Sequence, residues 1–210
     1  LFLGGLGHAP FVDPPEGFHA AIARDMLHLG DWVTPHVNGV RYFDKPALLY
    51  WLMAGAFALL GVSEGAARLP SALPAIGVAV ATAWLGLRLG SLRLGLVAGL
   101  IVAANLELFL FARLVKPDLL FVFFILVALA AFIEAYSRGG RRWLLVCAAS
   151  LGLAVLAKDV LGAIAPLAVI ALFLVLVRER DVRARFVPWA GVALFAPMGH
   201  GGEEAVTLLA

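Results

Sequence analysis

From residue 71 onward the sequence is a succession of long apolar runs parted by short polar breaks. The runs cover residues 71–87, 94–111, 119–136, 143–157, 160–177 and 187–197. No arrangement in water buries so many such segments in a chain of this size. About 20 mostly apolar residues suffice to cross the roughly 30 Å hydrocarbon core of a bilayer, so the pattern reads as a polytopic transmembrane helix bundle. Composition agrees: 63% of residues are hydrophobic and only 14% charged, against about 25% charged in an ordinary soluble domain. A net charge of +2 without a clustered basic face excludes a nucleic-acid footprint. The single cysteine, Cys147, lies in an apolar run and excludes a disulfide framework.

Charge placement orients the bundle. Arg88 and Arg93, then Arg138, Arg141 and Arg142, then Arg178, Arg180, Arg183 and Arg185 occupy alternate breaks. Short arginine-rich breaks face the cytoplasm. The intervening breaks, at 116–118 and 158–159, then face outward. Residues 1–11 read as the outer end of a span, which puts the polar stretch after them outside as well. Both placements hold only if residues 46–62 do not cross, so that segment is expected to lie at the outer interface or to re-enter. The expected organisation is one membrane domain over 1–210, with an external loop at 12–68. The apolar start and the Gly-rich, acidic end read as those of a piece of a longer chain.

Within the loop, residues 16–29 carry a helical stripe of Phe18, Ile22, Met26 and Leu29, with Pro14 and Pro15 ahead and Gly30 behind. This is an amphipathic helix suited to the membrane surface. All three lysines, Lys45, Lys116 and Lys158, fall on the outer side, each near a carboxylate (Asp44, Asp118, Asp159), and Asp13 and Glu16 share that side. Charges at membrane depth are costly and usually have a partner or a task. Lysines hold a phosphate as point charges, and a carboxylate can take a proton from an attacking hydroxyl. Plainer readings stand beside these. Asp13 and Glu16 flank a helix N-terminus, where carboxylates complement the dipole. Lys158 could simply snorkel to the interface. His19, His28 and His36 read as surface or pocket side chains. Arg113 is expected to pair with Glu107, and Phe121, Phe123 and Phe124 are expected to face lipid. On residues alone, an enzyme and a transporter or binder of a lipid-linked anion stand level.

The stretch at 20–51, AAIARDMLHLGDWVTPHVNGVRYFDKPALLYW, resembles the first external loop of the bacterial GT-C glycosyltransferases. These are the protein mannosyltransferase-like enzymes that include the lipid A aminoarabinose transferases. GVSEGAARLPSAL (61–73), ARLVKPD (112–118) and LGLAVLAKDVLGAIAP (151–166) match further family segments in order. The resemblance implies an all-α GT-C bundle with surface-lying helices in its first external loop. It also implies transfer of a sugar from a polyprenyl-phosphate donor to a lipid, glycan or protein acceptor, at the outer face of the cytoplasmic membrane. By the same resemblance Lys45 contacts donor phosphate, Asp118 matches the acid of the "RPD" motif with Lys116 in place of its arginine, and Lys158 matches the "TKG" lysine. The family's acidic pair falls on Pro15-Glu16 and its Arg-Tyr on Phe18-His19, so the first acid is missing at its own position. Glu16, with Asp13, is the expected substitute base. Asp118 completes the catalytic set, Lys45, Lys116 and Lys158 the phosphate-binding set, and His19, Tyr42 and Asp44 the rest of the pocket. A divalent metal is admitted as a further aid, with no ligand set assigned. A non-catalytic binder on the same scaffold, or an inactive fragment, is the alternative.

Overall fold

The computed structural model describes residues 1–11, 14–37, 39–42 and 44–177 of the chain. The expectations attached to Asp13, to the arginines at 178–185 and to the run at 187–197 lie outside these residues. Residues 1–11 form a series of turns instead of the end of a helix. Helix α1 (Pro14–Leu29) follows. Prolines in a first turn surrender no helical hydrogen bond and preset φ. A two-residue hairpin, β1 (His36–Val37) against β2 (Val40–Arg41), leads to α2 (Leu48–Leu60). At 13 residues, α2 is about 20 Å long and too short to cross the hydrocarbon core. Its length fits an interfacial or re-entrant segment.

Helix α3 (Glu64–Leu89) starts inside the expected loop interval of 12–68, where the Ser63 hydroxyl accepts from the Ala66 amide. It is 26 residues long and continues through Pro70 and Pro74. Helix α4 (Leu92–Ala103) folds back against it. The two backbones nearly touch: a methyl on Gly95 would lie 2.5 Å from the Ala83 carbonyl oxygen, and one on Gly86 2.8 Å from the Gly95 Cα. Small residues allow such approach between membrane helices, where packing replaces the hydrophobic effect as the driving force.

The run at 94–111, expected as one span, is instead α4 followed by α5 (Leu106–Ala112), bent by 59° at the break. Asn105 explains the bend. Its backbone is extended and its side-chain oxygen accepts from the Leu108 amide, so it caps a new helix where the old one ends. Helices α6 (Asp118–Arg138) and α7 (Arg141–Ala157) form the most extensive hairpin of the bundle. Gly139 and Gly140, both at positive φ, make the turn between them. Helix α8 (Leu161–Val177) packs on α6 and α7.

By length and apolarity α3 and α6 can each cross a membrane, and the bent α4–α5 pair can form a third span. At 17 residues each, α7 and α8 are at the lower limit for crossing. Leucines and valines of α4 and α8, among them Leu96, Val97, Leu100, Val169, Leu172 and Leu176, point outward, as a bilayer-embedded multi-pass protein requires. The Phe run faces inward in part. Phe121 and Phe124 pack on the largest core cluster, and Phe123 lies against Gly77, because these rings fill the space between α3, α6 and the loop helices.

The two ends of the bundle carry different chemistry. At one end lie Arg88, Arg138, Arg141 and Arg142. At the other lie the loop helices, Lys116, Asp118 and Lys158. A single apolar core joins the loop to this second end: Ala20 and Ala23 of α1, Leu48, Leu49 and Met53 of α2, Ala66 and Ala67 of α3, Leu120 of α6 and Ala157 of α7.

Candidate active site at the outer end

Glu16 is buried, with 1% of its surface exposed. Helix α1 carries it in its first turn and α3 brings Arg68 against it. The guanidinium donates through Nε to Oε1 at 3.2 Å and through Nη2 to Oε2 at 2.9 Å, and the Val115 amide donates to Oε1 at 2.8 Å. The remaining guanidinium hydrogens go to the carbonyls of Leu6, Ala9 and Pro10. Arg68 thus ties the N-terminal turns, α1 and the segment before α6 into one block. A planar fork of five donors suits this task, and lysine could not perform it. Sequence reasoning placed Glu16 as a proton acceptor open to substrate. The structure encloses its oxygens among three donors, two from the guanidinium and one from the Val115 amide.

Arg68 was missed by sequence reasoning. Its signal was its place: it is the only arginine between Arg41 and Arg88, in an otherwise small-residue helix start. Arg113, expected beside Glu107, donates instead to the carbonyls of Gly4 and Gly5 at 2.8 and 2.9 Å. The guanidinium reaches two successive carbonyls of the N-terminal turns at once, and that of Gly5 also accepts from the His8 amide.

A second group sits between α1 and α2. His19 Nδ1 lies 3.0 Å from the Tyr50 hydroxyl. Tyr50 is fully buried and meets the Tyr42 ring edge-on, with centroids 6.4 Å apart, and the Tyr42 hydroxyl donates to Asp44 Oδ2 at 3.1 Å. Lys45 approaches the same carboxylate oxygen at 3.7 Å while keeping about half its side chain exposed. Burial, with Lys45 nearby, lowers the His19 pKa below its ordinary value. Burial pushes both phenols up, and the Asp44 carboxylate adds to this for Tyr42. The ring is therefore neutral at pH 7 and the tyrosines stay protonated. Ile22 and Met26 of α1 and Ala54 of α2 pack beneath Tyr50. Of the expected α1 stripe these two are buried, while Phe18 and Leu29 stay exposed at 37% and 61%. Trp51, next to Tyr50, donates from its indole to the Trp32 carbonyl at 2.6 Å and anchors the loop to α2.

The third group joins α6 and α7. Lys158 Nζ donates to Asp118 Oδ1 at 2.6 Å and lies over the Phe121 ring. The adjacent-in-sequence pairings are therefore exchanged. Lys158 pairs with Asp118 across the bundle, Asp159 accepts from the Leu161 amide at the start of α8, and Lys116 lies over the Phe111 ring. The backbone of Lys116 is fixed by Ser71, whose hydroxyl donates to its carbonyl and accepts from its amide.

The first and third groups border the core that joins the loop to this end of the bundle, and the second stands on a neighbouring cluster between α1 and α2. They offer a half-exposed cation at Lys45, a partly exposed cation–anion pair at Lys158–Asp118, and a neutral imidazole at His19. Such a surface can hold an anionic head at the membrane face while apolar helices accommodate a lipid tail. Among the described residues no group of three or more His, Cys, Asp or Glu side chains converges.

A family model described as dolichyl-phosphate-mannose-protein mannosyltransferase matches residues 13–199. The undecaprenyl phosphate-alpha-4-amino-4-deoxy-L-arabinose arabinosyl transferase of Aeromonas salmonicida is 29% identical over 198 residues, covering 92% of this chain and 36% of that protein. The crystal structure of ArnT from Cupriavidus metallidurans in the apo state superposes with a TM-score of 0.87 at 25% identity, over 99% of this chain and 40% of that one. The same protein bound to undecaprenyl phosphate gives a TM-score of 0.85 at 26% identity, over 92% and 37%. The chain thus spans well under half the length of each.

Proposed function

This chain belongs to the dolichyl-phosphate-mannose-protein mannosyltransferase family, and we propose that it works as a membrane glycosyltransferase. In this reading it moves a sugar from a polyprenyl-phosphate donor to an acceptor at the outer face of the cytoplasmic membrane. One observation carries the reading: the fold likeness to a structure described as bound to undecaprenyl phosphate, in a chain whose outer end places Lys45 half exposed.

Lys45 is proposed to neutralise the phosphate that leaves when the sugar's anomeric bond breaks. Because the charge on that oxygen grows in the transition state, a cation placed there lowers the barrier and does not merely tighten binding. The Lys158–Asp118 pair is proposed to border the same site, with Asp118 near the developing positive charge on the sugar, by analogy with glycosidases. Glu16 is proposed to act as a frame: with Arg68 it holds α1 and α3 in the register that aligns the other groups.

The test uses the full-length protein in membranes with undecaprenyl-phosphate aminoarabinose as donor. Lys45→Ala is expected to lower kcat about 100-fold, the scale of one lost electrostatic contact to a developing charge. Wild-type protein that binds undecaprenyl phosphate but transfers no sugar would favour a non-catalytic binder instead.

A further inference from the structure

The transfer reading needs a group to accept a proton, and the structure narrows the choice. Glu16 is enclosed by Arg68 and the Val115 amide, and Pro15 stands one residue before it. Asp118 is held by Lys158 at 2.6 Å. Asp44 accepts the Tyr42 hydroxyl and is paired with Lys45. Among the described residues of the pocket, His19 is the base that no ion pair holds.

An ionised carboxylate only accepts, so the Tyr42 hydroxyl donates to Asp44. Tyr50 meets the Tyr42 ring edge-on, with centroids 6.4 Å apart, and its hydroxyl lies 3.0 Å from His19 Nδ1. In the tautomer that serves as a base, Nδ1–H donates to the Tyr50 oxygen and Nε2 keeps its lone pair. Which nitrogen of a histidine is protonated is set by the hydrogen bond that the other makes.

We propose that His19 Nε2 is the general base that takes the proton of an acceptor hydroxyl, with the Tyr50 hydroxyl holding its ring. The inference rests on the glycosyl-transfer reading above and names its acceptor class. A hydroxyl must lose a proton as it attacks, whereas a phosphate is already ionised at neutral pH and needs no base. The acceptor oxygen bonds to the anomeric carbon, the bond from that carbon to the phosphate oxygen breaks, and the electron pair leaves with the lipid phosphate. The acceptor's proton passes to Nε2. The imidazolium so formed keeps its bond to the Tyr50 oxygen, and Lys45 balances the departing phosphate.

The groups around the ring bear on its titration. From α2 it faces Tyr50. From the segment before α2 it is near Tyr42, Asp44 and Lys45, and its own helix contributes the Phe18 ring. On β1, His36 stands 3.8 Å from Asp31, and Glu16, one turn earlier on α1, is closed on Arg68. Burial and Lys45 both disfavour the imidazolium, so the free enzyme holds His19 neutral at pH 7. Activity should fall as the pH drops through a value below the ordinary 6.5 of histidine.

The experiment follows kcat and KM against pH for the full-length protein in native membranes, which supply the acceptor. Undecaprenyl-phosphate aminoarabinose and undecaprenyl-phosphate mannose serve as donors. Wild type is expected to show an acid limb with its inflection below 6.5 and to yield an acid-stable glycoside. His19→Gln should lower kcat about 100-fold, the lower range for general-base catalysis, leave donor KM within twofold, and abolish the limb. Tyr50→Phe keeps the ring packed but removes the oxygen that fixes the tautomer, and should lower kcat about tenfold with the limb retained. Active wild type with an unchanged limb in His19→Gln, or an acid-labile glycosyl phosphate as product, overturns the base assignment alone. Wild type that turns over neither donor overturns the transfer reading, and this inference with it.

Discussion

Among the described residues the bundle buries two glutamates, one toward each end, and treats them differently. Glu16, at the outer end, is 1% exposed and meets a guanidinium that is itself 3% exposed, along with a backbone amide. Glu134, near the arginine-rich end, is 3% exposed. It meets Arg88 at 3.2 Å and Arg138 at 3.5 Å, whose side chains are 30% and 58% exposed. The first is a closed clamp between segments far apart in sequence. The second is a half-solvated pair of cations around one carboxylate. What holds the arginine-rich end is closer to pure packing: Gly86, Gly95 and Gly99 let α3 and α4 touch backbone to backbone, and Trp84 lies against Trp143. The end that carries the loop helices depends on polar clamps. The arginine-rich end depends on small residues.

This contrast can be broken most sharply at Arg68. Arg68→Ala would leave Glu16 buried without its cation and three carbonyls without a donor. Losing one partner of a buried pair costs about 3–5 kcal/mol. A large drop in the thermal midpoint of the detergent-solubilised protein is expected, and a drop no greater than that for Arg138→Ala would remove the distinction between the ends. Next in size is Gly95→Ala. Its methyl would collide with the Ala83 carbonyl at 2.5 Å, and overpacking of this kind costs about 1–3 kcal/mol. Accelerated proteolysis in the α3–α4 hairpin would report it, and wild-type resistance would show that the hairpin can open without loss. Smallest is Arg138→Ala. The Arg138 side chain is more than half exposed and Glu134 keeps Arg88, so the loss should stay near the about 0–1 kcal/mol of a solvated pair. A loss as large as that for Arg68→Ala would mean that the two glutamates are equivalent after all.

Much of the architecture was legible because it follows from local chemistry. A run of apolar residues is helical in a bilayer whatever its neighbours, since every backbone group must be satisfied within the segment. Charge parity alone sets the expectation that residues 46–62 do not cross, and the 13 residues of α2 fit it. The 59° bend at Asn105 was not, because a capping side chain within an apolar run looks like any other tolerated polar residue. The site was legible in its parts and not in its pairings. Lys45 beside Asp44 is a neighbour contact and was visible. Lys158 with Asp118 joins α7 to α6, and sequence proximity pointed to Asp159 instead. Tyr50 lies 31 residues from His19 along the chain, and only the packing of α1 on α2 brings its hydroxyl within 3.0 Å of the ring.

The sequence by itself determined the solvent, the helical class and the identity of the ionisable groups in the loop. Each of these depends on composition and short-range spacing. Tertiary structure alone decided which carboxylate is enclosed and which phenol meets the histidine. Glu16 and His19 lie one turn apart on the same helix. What separates their roles is that α3 sends a guanidinium to the first and α2 sends a phenol to the second. A charge or a proton is positioned by the partner that reaches it through space, and that partner was 52 residues away for Glu16 and 31 for His19.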